Sequence, residues 1–165
     1  MGVYAFSECT SLTTASISSG LLTLPDFTFY NCTALRSVTL PTSIKNIGAS
    51  AFSNCTVLSN IDVSHVETFG NFAFYKSGLT EITLSAATTT IGENTFGECH
   101  QLVLADLAHS NITTLPSGSF YKCSALTTIM LPHNLEVIGS EVFRANASLN
   151  NVILPNTVKT LQSRA

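Results

Sequence analysis

Seven of the ten phenylalanines fall at a near-constant interval: Phe6, Phe29, Phe52, Phe74, Phe96, Phe120 and Phe143, in steps of 22 to 24 residues. Other positions move in phase with them. Three residues after each Phe come Cys9, Cys32, Cys55, Ser77, Cys99, Cys123 and Asn146. Leu12, Leu35, Leu58, Leu79, Leu102, Leu126 and Leu149 follow, and then alternating apolar positions such as Val38 and Leu40. A unit of this length cannot bury its own apolar face, whereas stacked units bury one another's. The repeat therefore predicts a solenoid of about seven coils of about 23 residues. Each column becomes a ladder, with Phe6, Phe29, Phe52, Phe74, Phe96, Phe120, Phe143, Cys32, Cys55, Cys99 and Cys123 in the core.

Within a unit the signals are short. Leu35, Val38 and Leu40 alternate with polar residues, which reads as a brief strand with one solvated face. Every coil runs the same way, so the sheet should be parallel, with coils about 4.8 Å apart. Pro41, Pro132 and Pro155 close the strand, because proline cannot donate a further ladder bond. Gly48, Gly70, Gly92 and Gly139 read as turn residues. The segment around each Phe reads as a tight bend or a single turn of 3-10 or α-helix, and no window supports a long helix. Phe27 and Phe72, two residues before a column Phe, form either a satellite layer or an exposed contact pair.

The five cysteines include no C-x-x-C, so a zinc ribbon is not indicated. A parallel ladder holds Cβ atoms further apart than the roughly 3.8 Å a disulfide needs, which predicts buried reduced thiols. Three of the four histidines, His65, His109 and His133, share a column as solvated turn residues. No metal or cofactor is implied. Net charge is −3 with only seven Lys and Arg, which disfavours a nucleic-acid reader. No apolar run is long enough to span a membrane. Positive mean hydropathy (+0.33) disfavours long disorder.

The unit Leu40–Ile61, LPTSIKNIGASAFSNCTVLSNI, and the unit Leu131–Val152, LPHNLEVIGSEVFRANASLNNV, share one pattern. It resembles the BspA-like leucine-rich repeats found in surface proteins of some bacteria and parasitic protists. The pattern departs at Ser64, Ser85 and Ala108, which stand for proline, and at Ser77 and Asn146, which stand for cysteine. The resemblance implies a leucine-rich-repeat solenoid over residues 1–165, used for binding and adhesion to host or matrix proteins. It also implies a cell-surface or secreted location. No signal peptide is visible in Met1–Thr10, so a cytoplasmic location stays open. The array is expected to be a fragment lacking at least one polar cap, with ends that invite self-association.

The solvent positions of the strand column form the candidate binding face: Asn60, Asp62, Glu81, Thr83, Leu104, Asp106, Thr128, Met130, Asn151 and Ile153. The face has an acidic centre and turns apolar at Leu104, Met130 and Ile153. This predicts a non-catalytic protein-binding module. The alternatives are an intracellular interaction scaffold and, less favoured, a parallel β-helix enzyme acting on polysaccharides. In the last, Asp62, Glu81 and Asp106 would supply the carboxylates.

Overall fold

The computed structural model, which describes all of Met1–Ala165, builds each coil around its phenylalanine. From Phe6 to Phe120, the residues two before, at and two after the Phe donate backbone N–H bonds to the following coil. Ser50, Phe52 and Asn54, for example, donate to the carbonyls of Asn71, Ala73 and Tyr75 at 2.8–2.9 Å. The intervening residues close local turns, Ser53 N–H to Ser50 O and Cys55 N–H to Phe52 O among them. This alternation needs left-handed backbone on both sides of the Phe. Positive φ duly occurs at Tyr4 and Glu8, Phe27 and Asn31, Ser50 and Asn54, and so on to Glu141 and Ala145. The bends are the tight-bend alternative, hydrogen-bonded turns with no 3-10 or α-helical run.

The rings stack as the spacing requires. Successive centroids from Phe6 to Phe143 lie 5.0 to 6.4 Å apart and nearly parallel. Phe29, Phe52, Phe74, Phe96 and Phe120 are fully buried. The outer two are not: Phe6 is 38% exposed and Phe143 is half-buried, because each has a ring on one side only. The cysteines line the same core. The thiols of Cys32, Cys55, Cys99 and Cys123 donate to the Phe carbonyl of the preceding coil, those of Phe6, Phe29, Phe74 and Phe96, at 3.0–3.1 Å. All five cysteines are free, and only Cys9 is exposed. Burial pushes the Cys55 thiol up to about 12 and Cys99 to about 11.

Two sets of short parallel strands complete each coil. On the expected strand side lie β1 (Thr14–Ser16), β3 (Ser37–Thr39), β6 (Glu81–Thr83), β7 (Leu104–Asp106) and β9 (Thr128–Met130). On a second side, where only a turn was expected, lie β2 (Thr23–Leu24), β4 (Asn46–Ile47), β5 (Thr68–Phe69), β8 (Thr114–Leu115), β10 (Val137–Ile138) and β11 (Thr160–Leu161). Neither side is one continuous sheet. The strand side splits into β1-β3 and β6-β7-β9, because Asn60–Asp62 joins neither; the second side splits into β2-β4-β5 and β8-β10-β11. The uninterrupted ladder is the one at the bends. The glycines mostly serve coil-to-coil approach: a Cβ on Gly70 would lie 2.5 Å from Ala49 N, and one on Gly92 2.4 Å from Asn71 N.

Candidate interaction surface

Coils are numbered here by their bends, coil 1 at Phe6 and coil 7 at Phe143. The sheet β6-β7-β9 aligns the middle of the expected face in strict register. Glu81, Leu104 and Thr128 form one row, and Thr83, Asp106 and Met130 the next. Glu81, Thr83, Thr128 and Met130 are exposed, whereas Leu104 and Asp106 are half-buried. Asn60 and Asp62 in coil 3 and Asn151 and Ile153 in coil 7 are also exposed, but they belong to no strand. The ten positions therefore share one side of the solenoid, and only six of them share a sheet.

Two of the three carboxylates have local partners. Asp62 Oδ1 accepts the N–H of Ser64 at 3.0 Å, and Asp106 Oδ1 accepts that of Ala108 at 3.0 Å. Ser64 and Ala108 are positions where other coils carry proline, which has no N–H to satisfy. The bonds from Ser64, backbone first and then hydroxyl, hold the Asp62 carboxyl below its usual range. Glu81 makes no hydrogen bond or ion pair, unlike the other two.

The cations lie elsewhere. Lys45 pairs with Glu67, Lys159 with Glu136, and both Arg144 and Arg164 with Glu141. Lys76 and Lys122 flank Glu98 at 3.5 and 3.6 Å. Of the seven Lys and Arg, only Arg36 has no carboxylate partner. The Glu98 cluster was not anticipated from the sequence. Tyr75 Oη donates to Glu98 Oε1 at 2.8 Å, and Lys76 and Lys122 lie over the rings of Tyr75 and Tyr121. Burial alone would raise the Glu98 pKa, but Tyr75 and the two ammonium groups outweigh it and hold it low. Burial, followed by the Glu98 hydrogen bond, raises Tyr75 to about 12. The offset of Lys76, Glu98 and Lys122 by 22 and 24 residues was the available signal.

Phe27 and Phe72 lie outside the ring column, against tyrosines. Phe27, half-buried, stacks on Tyr4 at 4.7 Å, and Phe72, 38% exposed, meets the edge of Tyr75 at 5.4 Å. No three His, Cys, Asp or Glu side chains come together in a way that could hold a metal ion. The column histidines His109 and His133 are exposed as expected. His65 departs from them: it is half-buried, and neither ring nitrogen has a hydrogen-bond partner.

These features define a leucine-rich-repeat solenoid. The chain belongs to the BspA-type leucine-rich repeat family, whose profile matches residues 1–103 and 63–165 with six copies. Among solved structures it is similar to a leucine-rich repeat protein from Bacteroides ovatus, at 25% identity and a TM-score of 0.73. That alignment covers 96% of this chain and 47% of the other, so the chain spans about half that relative's length. It is also similar to the Treponema pallidum leucine-rich repeat protein, at 25% identity and a TM-score of 0.84, covering 92% of this chain and 71% of that one. A leucine-rich cell surface protein from Faecalibacterium prausnitzii shares the fold at 22% identity and a TM-score of 0.58, over 95% of this chain and 57% of that one. No curated protein matches the chain.

Proposed function

We propose that the chain is a non-catalytic protein-interaction module of a cell-surface protein, binding through its strand side. The carrying observation is the three-stranded sheet that presents Glu81, Thr83, Thr128 and Met130 in register to solvent. Solenoids of this kind use extended surfaces of stacked coils for recognition. Surface location and adhesion draw support from the family and from solved relatives, among them the cell surface protein of F. prausnitzii and the pneumococcal vaccine antigen PcpA. The turn roles of Asp62 and Asp106 weigh against a catalytic carboxylate group.

The test is binding of the purified chain to immobilised extracellular-matrix proteins and to intact cells. Wild type is compared with the double variant Glu81→Lys, Met130→Lys. Binding lost in the variant at an unchanged melting temperature supports the module. Equal binding by both removes the strand side as its surface.

A second reading, an intracellular scaffold, is favoured by one observation: five free thiols, four of them buried. Immunofluorescence of intact against permeabilised cells separates the two. Self-association through the ends, where Phe6 and Leu161 are exposed, is tested by sedimentation over a range of concentrations. A concentration-independent monomer refutes it.

A further inference from the structure

We propose that the cleft between coils 6 and 7 receives an extended, cationic polypeptide segment of a partner, which seats an apolar side chain between Met130 and Ile153. This rests on the strand side being the interaction surface. The cleft has a volume of about 570 Å³, and its walls include Met130, Leu131, Ile153 and Pro155. Met130 is 39% exposed and Ile153 77% exposed, both large apolar groups that the fold leaves open to water.

The cleft exists because one ladder is missing. Leu84 N–H donates to Asp106 O, and Leu107 N–H to Met130 O, each at 2.9 Å. The next step of that series would join Leu131 N–H to Ile153 O, and no such bond forms. Residues 151–153 lie outside any strand, although coil 7 is tied to coil 6 on the other side through β11 and β10. The free side of β9 thus offers a backbone donor next to an apolar cleft. An extended segment satisfies such an edge by adding a carbonyl acceptor, with alternate side chains entering the cleft.

The charge of the segment follows from the surroundings. Asp106 is the register partner of Met130, and Glu81 lies one coil further along. Six of the seven cations are held in ion pairs with Glu67, Glu98, Glu136 and Glu141. None of those acceptors belongs to the strand column, so Glu81 has no cation of its own. A segment with Lys or Arg beside its apolar anchor supplies one.

The test uses the full chain and two fluorescent ten-residue peptides of alternating pattern. One carries Lys in one half and Leu and Phe in the other; the second carries Glu in place of Lys. Binding is read by anisotropy at ~50 mM and ~500 mM salt. The proposal expects the Lys peptide to bind at least ~10-fold more tightly than the Glu peptide, and to weaken in salt. Glu81→Lys should weaken it by ~10-fold, and Met130→Lys should abolish binding, both at the wild-type melting temperature. Equal binding of the two peptides overturns the cationic partner. Binding indifferent to both variants, or no binding of either peptide, overturns the cleft as the site. Strand-side-dependent adhesion to matrix proteins that persists through either result leaves the proposed function standing without this partner.

Discussion

The pairing of Asp62 with the Ser64 N–H predicts that aspartate and proline are alternative ways to enter the turn after this column. Removing the acceptor by Asp62→Ala leaves the Ser64 N–H to water. The group lies at the surface, so the cost is that of losing a capping acceptor, about 1 kcal/mol. Ser64→Pro removes the N–H itself. Ser64 is the second residue of the turn closed by the Val66 N–H to Val63 O bond, the turn position that favours proline, so the ring should be accepted there. In the Ser64→Pro background Asp62→Ala should cost only a few tenths of a kcal/mol, which gives a coupling energy of about 1 kcal/mol across the cycle. Urea unfolding followed by circular dichroism measures all four chains. The pH dependence is a second, independent readout. The folded pKa of Asp62 is depressed, so its contribution is present above its unfolded value, about 3.9, and lost as pH falls through the folded value. The wild type should therefore lose its advantage over Asp62→Ala in that acid window. The two chains that carry Ser64→Pro should show no such loss relative to each other. Additive single and double variants, with a coupling below about 0.3 kcal/mol, would refute the reasoning.

Other expectations follow from the same geometry. Phe52, fully buried between Phe29 and Phe74, should cost about 3–5 kcal/mol on change to Ala, and the 38%-exposed Phe6 distinctly less, as read by the same unfolding curves. Ser50 has a φ of 52°, so Ser50→Gly should raise stability by about 0.5–1 kcal/mol, a gain visible in the urea midpoint. Gly118→Ala should lower it, because φ is +67° and the new Cβ would lie 2.2 Å from Asn94 Oδ1. Native thiol titration should count one fast group, Cys9, and five after denaturation; a second fast thiol would show that the buried ladder opens.

The columns of Phe, Cys and Leu were legible because each is a core position repeated about every 23 residues, and apolar identity is what burial selects. The second strand was less legible. Its pieces are two residues long, as in Asn46–Ile47, and a two-residue alternation carries no period of its own. The left-handed positions were illegible for a different reason. Asn31, Asn54, Asn94 and Gly118 suit such backbone, but Ser50, Phe72, Lys76 and Glu98 share their columns without a local preference for positive φ, so there the stacked coils impose it. On the strand side, alternation marks which residues point outward, and it does not say where the column loses its ladder. Asn60–Asp62 alternates polar and apolar residues just as β6 does, and Asn151–Ile153 alternates exposed and half-buried positions, and yet they pair with nothing.

The bends bond every coil to the next, while the sheets on the other sides are interrupted at separate heights. A bound volume has the same construction, held at the binding and free to part at the fore-edge. Flexing of the rod should therefore leave the distances between neighbouring rings almost unchanged. It should alter the spacing between Asn60–Asp62 and the coils on either side, and between β9 and Ile153. The recognition side can adjust its pitch to what it meets while the aromatic column keeps its own.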